Sequence, residues 1–136
     1  MNKRKVQVSV FYCDAKGDKY FLLLKTNERR GNFWQNITGG VDEGESFLDA
    51  ALRELREETT IKECELIDAD MSFKFLDQWN LNCTEKCYFA KLKSRPSITI
   101  DPSEHSSYLW VNFKDIDHNF LKHETNFELI QKSAAL

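Results

Sequence analysis

Apolar and polar residues alternate along KVQVSVFYC, where Val6, Val8 and Val10 flank Gln7 and Ser9. Side chains on a strand change face at every residue, so this spacing predicts a strand with one buried face. DAKGDKY supplies a turn and YFLLLKT a continuous apolar strand, together a hairpin. NERRGN reads as a polar loop, and FWQNI as a short strand running into Thr38, Gly39 and Gly40. Strands are expected again in ECELIDADMSFKFLDQW and EKCYFAKLKS. Pro96 and Pro102 then punctuate a long loop before a last short strand at 109–111. Two stretches carry helical spacing. One spans 46–59, with Ser46 as its cap, Asp49 three residues on, and Phe47, Leu48, Ala51 and Leu55 as its buried stripe. The other is NFLKHETNFELIQKSAA, with Phe120, Leu121, Phe127 and Ile130 on one face. Strands mixed with two helices predict an α/β fold, a mixed β-sheet between helices in an α/β/α sandwich.

Composition narrows the function. The 136 residues contain 41% hydrophobic and 30% charged positions, an ordinary globular balance. Without repeats or a Pro/Gly/Ser-rich linker, residues 1–136 read as a single domain. A net charge of −3 argues against a stable nucleic-acid complex held by a broad basic surface. No run approaches a membrane span, and the basic start leads into an alternating strand rather than a signal peptide. A cytoplasmic protein with four reduced cysteines is therefore expected. Cys83 and Cys87 lack the second pair of ligands that a closed zinc site needs.

Charge within the first helix changes the picture. TGGVDEGESFLDAALRELREETTI gathers Asp42, Glu43, Glu45, Asp49, Glu54, Glu57 and Glu58 against Arg53 and Arg56. At about 100° per residue, Glu54 and Glu58 fall at the edge of the buried stripe and Glu57 on the same side. Arg53 is placed toward solvent. A solvated helix laced by pairs such as Arg53 with Glu57 is the ordinary explanation of such charge. Carboxylates four apart where the core begins would instead take up protons or cations. Oxygen ligands of this kind suit Mg²⁺, or Mn²⁺, both of which bind phosphate oxygens.

Gly39, Glu45, Arg53, Glu54, Leu55, Glu57, Glu58, Thr60 and Ile61 follow the pattern G-x5-E-x7-R-E-U-x-E-E-x-T-U. This resembles the box of the Nudix hydrolases, which has Gly where this chain has Thr60. FWQNITG and SEHSSYLWV extend the resemblance toward the bacterial dihydroneopterin triphosphate and dATP pyrophosphohydrolase branch. The resemblance implies a Nudix-type sandwich and divalent metal held by Glu54, Glu57 and Glu58. It also implies that Arg53 orients Glu57 or Glu45, and that a main-chain carbonyl near Thr38 or Gly39 reaches the metal. Thr is poor at positive φ, so the turn ending the helix is expected to differ at Thr60. In the same branch a Glu-His pair precedes the last strand, which makes Glu104 a metal ligand or base, brought in by a mobile loop that sits away from the site in the empty enzyme.

The expected reaction is hydrolysis of a phosphoanhydride in a nucleoside or pterin triphosphate to monophosphate and pyrophosphate, by a monomer or homodimer. Glu54, Glu57 and Glu104 are the alternatives for general base. Trp34, Gln35 and Trp110 are candidates to meet the ring, and Lys25, Arg29 and Arg30 the phosphates. His105 and His118 read as structural or surface residues. Dinucleoside polyphosphates and 5′-triphosphate RNA ends are the alternative substrates. An inactive nucleotide sensor is the alternative of another class.

Overall fold

The computed structural model describes residues 2–136. Among these residues seven strands join one sheet: β1 (Lys3–Cys13), β2 (Lys19–Thr26), β3 (Trp34–Gln35), β4 (Ile37–Gly40), β5 (Glu65–Leu76), β6 (Asn82–Leu92) and β7 (His105–Asn112). Helices α1 (Phe47–Thr59) and α2 (Glu124–Lys132) cover its two faces. The sheet is mixed, since β1 runs parallel to β6 and every other pairing is antiparallel. The expected sandwich is the one observed.

Alternation in β1 sorts the core. Val6, Val8 and Val10 join Leu22, Leu24 and Ile37 under Ala50, Ala51 and Leu55 of α1. Phe11 joins Phe21, Leu23 and Phe89 under Leu129 and Ile130 of α2. Two adjacent alanines let α1 approach the sheet closely, which brings its glutamates down to the strands.

The strands that matter most form a fork. β1 and β2 pair from Val10–Leu22 to Cys13–Lys19 and then part. The chain from Trp34 to Gly40 fills the gap, first pairing β2 through Trp34 and Gln35, then β1 through Ile37 to Gly40. FWQNI is therefore two strands, not the one expected. Asn36, fully buried at the crossing, takes side-chain partners instead of ladder partners, as buried backbone groups require. Its backbone N–H donates to Asn126 Oδ1 at 2.7 Å, and its side-chain amide donates to Gln7 Oε1 at 2.8 Å.

Helix α1 starts as the sequence predicts, with Ser46 Oγ accepting from the Asp49 N–H at 3.0 Å. It ends on a left-handed turn at Thr60, φ 63°, whose N–H donates to the Arg56 carbonyl. The turn expected to differ has the left-handed form, with threonine bearing the strain. Three expectations are corrected. Leu48 points to solvent at 49% exposure rather than joining the buried stripe. The second helix starts only at Glu124, because Asp117 Oδ1 accepts from the Asn119 and Phe120 N–H groups and turns the chain first. The last strand is longer than 109–111, because it follows β2 from Tyr20–Asn112 to Thr26–His105.

Candidate metal and substrate site

Arg53 organises one half of the site. Its guanidinium donates to both oxygens of Glu45 (2.9 and 3.0 Å), to the Gly40 carbonyl (2.8 Å), to Glu54 Oε1 (2.9 Å) and to Glu57 Oε2 (3.3 Å). All five donors of the planar fork are used. The sequence placed Arg53 toward solvent, but its long side chain folds back over the helix and is only 27% exposed. Of its expected partners it takes both, Glu45 more fully than Glu57. The hydrogen bond from Arg53 holds Glu45 down to about 2. Arg4 steadies the loop below, donating to the Glu45 carbonyl at 3.1 Å.

Glu54 and Glu58 lie at the edge of the core, 8% and 2% exposed. Burial pushes both carboxyls above the usual range, opposed in Glu54 by Arg53. Gly39 packs directly on Glu54, leaving no room there for a Cβ. Glu57 stays on the rim, its side chain 56% exposed.

The other half of the site comes from the start of β7. Glu104 is not in a free loop. Its carbonyl accepts from the Asn27 N–H at 3.0 Å, and the Ser103 carbonyl accepts from Asn27 Nδ2 and Arg29 Nη2 at 2.8 and 3.0 Å. This pinned turn holds Glu104 at the site, 3.9 Å from Arg30 and against Glu58, where the sequence had expected a mobile loop. A hydrogen bond with Glu58 pushes the Glu104 carboxyl up to about 7. His105 is buried beside them, with Nδ1 2.7 Å from Glu58 Oε2 and Nε2 3.1 Å from Gln35 Nε2. Burial, opposed by the Glu104 and Asp101 charges, pushes its imidazole below the usual histidine range. His118 is exposed.

One ligand atom from each of Glu58, Glu104 and His105 lies within 4.8 Å of the others. Glu58, raised by burial, and Glu104, raised by its contact with Glu58, with Glu54 alongside, are a donor set that fits a divalent cation. A cation there would relieve the crowding that otherwise favours protons.

The proposed ring contacts separate. Trp110 lies on the α1 side, its ring against Tyr12 and under Arg95, while Trp34 packs on the α2 side near Phe120. One ring cannot be sandwiched between them. Gln35 is 4% exposed and engaged with His105, so it faces the carboxylates rather than open space. Lys25, opposite Trp34 in the β2–β3 ladder, shares the α2 side. Sequence reasoning missed a cavity of about 1050 Å³ beside Gly40, bounded by Lys3, Lys5, Phe75, Trp79 and His123. Trp79, 65% exposed with Lys3 Nζ 4.0 Å above its ring, had been read as the end of a strand.

The model of the NUDIX domain matches residues 3–132. An RNA pyrophosphohydrolase of Pelagibacter ubique is 52% identical over 52 residues, 38% of this chain and 32% of the relative. A dihydroneopterin triphosphate diphosphatase of Escherichia coli K12 is 38% identical over 77 residues, 54% of this chain and 50% of the relative. The matches thus span half or less of these relatives' lengths. The solved E. coli dihydroneopterin triphosphate pyrophosphohydrolase superimposes with a TM-score of 0.79 at 26% identity, over 95% of this chain and 92% of that one. A C. elegans Ap4A hydrolase shares the fold, with a TM-score of 0.80 at 23% identity over 98% and 96% of the two chains. Among the described residues no helix is long and apolar enough to cross a membrane. With the box residues gathered around Arg53 and the domain match running almost end to end, the chain belongs to the NUDIX family.

Proposed function

We propose that the protein hydrolyses a phosphoanhydride of a nucleoside or pterin triphosphate, releasing the monophosphate and pyrophosphate. The observation that carries this is the convergence of Glu58 from α1 with Glu104 and His105 at the start of β7, with the Glu54 carboxylate close enough for its charge to bear on Glu58. A divalent cation, Mg²⁺ or Mn²⁺, held by Glu58 and Glu104 with Glu54, Glu57 and the Gly39 carbonyl around it, would neutralise phosphate oxygens and polarise water. The residues supply the rest. Arg53 fixes Glu54 and Glu57, while Arg30, beside Glu104, faces incoming phosphate. Water forms the new bond to phosphorus as the bond to the pyrophosphate oxygen breaks, and a carboxylate takes the water's proton. Glu57 and Glu104 are the partly exposed carboxylates suited to that proton, and Glu54 and Glu58 are the buried ones suited to ligation.

The cavity beside Gly40 suits the ring, with Trp79 as its aromatic wall and Lys5 as a counter-charge, Lys3 being paired with Asp77 at 2.8 Å. This moves the ring contact away from Trp34 and Trp110. We read the chain as one domain, monomeric or dimeric and cytoplasmic, acting on small molecules rather than holding nucleic acid. The Pelagibacter similarity favours 5′-triphosphate RNA ends as a second substrate class. A panel of nucleoside triphosphates, dihydroneopterin triphosphate, dinucleoside polyphosphates and short triphosphorylated RNA, incubated with Mg²⁺ and resolved by chromatography, tests both. Monophosphate and pyrophosphate that vanish with chelator are expected. Tight nucleotide binding with no product would instead make the domain a sensor.

A further inference from the structure

Behind Glu58, Gln35 and His105 form a buried line that has no part in the proposed reaction as described above. The three residues, Gln35, His105 and Glu58, are 4%, 2% and 2% exposed, and their facing atoms stand in direct contact, 3.1 and 2.7 Å apart. They come from three elements: Gln35 from β3, His105 from the first position of β7, and Glu58 from the last turn of α1. The line exists because β3 and β7 flank β2 on opposite edges, which brings Gln35 and His105 together across the end of β2.

The protons follow from the chemistry of the atoms. Gln35 Nε2 is a donor and stands 3.1 Å from His105 Nε2, so that ring nitrogen must offer its lone pair. A neutral imidazole then carries its single proton on Nδ1. Nδ1 lies 2.7 Å from Glu58 Oε2, a separation at which two lone pairs would repel. The contact is close but not well aligned, and neither atom has another partner among the described residues. The N–H therefore has one place to go.

We propose that Gln35 and His105 are positioning residues for Glu58: the Gln35 amide fixes the Nδ1–H tautomer of His105, and that N–H holds one oxygen of Glu58 so that the carboxylate presents to Glu104 and the divalent cation. Partners of this kind orient metal ligands elsewhere, and their loss costs about 10–100-fold in metal affinity. The inference rests on the metal-dependent reading above, but its first test does not.

That test is the ring ¹⁵N spectrum of the metal-free wild-type protein with labelled histidine. His105 is expected as the Nδ1–H tautomer. An Nε2–H tautomer overturns the proposal whatever the enzyme does. The second test is Mn²⁺ affinity, read from the electron paramagnetic resonance of the free ion. His105→Asn keeps an N–H near the Nδ1 position and should bind Mn²⁺ within about threefold of wild type, whereas His105→Ala should bind about 10–100-fold more weakly. Gln35→Glu, of the same shape but without the donor, should move the ring proton to Nε2 or add a second one. It should weaken Mn²⁺ binding without lowering the melting temperature to match. Equal losses in His105→Asn and His105→Ala, both folded, would overturn the positioning role. A wild type that shows the Nδ1–H tautomer and binds no Mn²⁺ would sink the metal-dependent function while leaving the tautomer assignment standing.

Discussion

Gly39→Ala is the smallest change that reaches the centre of the site. A Cβ built at Gly39 would stand 2.5 Å from Glu54 Cγ and closer still to its carboxyl carbon. Ordinary carbon contacts begin near 3.5 Å, so Glu54 or strand β4 must give by about 1–1.5 Å. The strand has little freedom, since Ile37 to Gly40 are laddered to β1 and Arg53 holds the Gly40 carbonyl. Glu54 is the part that moves, and it leaves its 2.9 Å bond to Arg53 when it does. The backbone at Gly39 does not itself demand glycine, because its φ is not in the left-handed range. The cost to folding is thus one charge-assisted hydrogen bond and some repacking, about 1–3 kcal/mol. The cost to catalysis is larger, because a misplacement of about 1 Å in a catalytic group is worth about 10²-fold. A coupled pyrophosphate-release assay with Mg²⁺ should show kcat down by about that factor, with the circular dichroism of a folded protein. Turnover within about threefold of wild type would refute the argument, since about 1.4 kcal/mol is already tenfold.

Other outcomes follow from the same geometry. Thr60→Gly should raise stability by about 0.5–1 kcal/mol, because threonine at φ 63° is strained and, on this exposed residue, water can replace the hydroxyl's bonds to the Thr59 carbonyl and the Thr99 N–H; a lower melting temperature would contradict this. Glu104 has its carboxyl raised from 4.5 to about 7, so the metal-free fold favours the protonated form, and that stability is complete below about pH 4.5 and lost as pH rises through 7. Its side chain is 41% exposed, so solvent screening reduces the full effect to about 1–2 kcal/mol; melting temperature of chelated protein should fall from pH 5 to 8, and Glu104→Gln should flatten the fall. Trp79→Ala should raise KM by about tenfold with little change in kcat if the ring stacks there, since stacking is worth about 1–3 kcal/mol; an unchanged KM across active substrates would place the ring elsewhere.

Helical periodicity alone put Glu54 and Glu58 at the core edge, because a 100° step depends on nothing but the residue's own helix. The same angles misplaced Arg53. They locate a Cβ, and an arginine's guanidinium lies several bonds further on, where it can return to partners on another face. Glu104 was reachable through the resemblance, but the pinning of its turn by Asn27 and Arg29 was not, since those contacts cross more than seventy residues. Gln35 and His105 were legible as residues and not as a pair. Their meeting requires β2 to have β3 on one edge and β7 on the other, and no local pattern encodes which strands share a neighbour. Asn36 hid the fork for a similar reason. The polar pair Gln35 and Asn36 in FWQNI reads as part of one strand until the Asn126 side chain is seen to take the Asn36 N–H in place of a ladder partner.

That fork is also why the acidic stretch is tolerated. One arm of the Trp34–Gly40 chain lies on β1 and brings Gly39 beneath Glu54; the other lies on β2 and brings Gln35 to His105. Each of the two buried glutamates of α1 meets a compensating group that a different arm braces. Glu54 receives Arg53, which is itself braced by the Gly40 carbonyl, and Glu58 receives His105, which is braced by Gln35. Arginine answers a full negative charge and a neutral imidazole does not. Glu58 and Glu104 are therefore left short of positive charge at the one place where their ligand atoms converge. A cluster neutralised throughout would be a structural salt-bridge network with no call for a cation. The unequal compensation of the two buried glutamates is what would favour a cation beside Glu58 and Glu104, next to the Glu54 and Glu57 carboxylates that Arg53 holds.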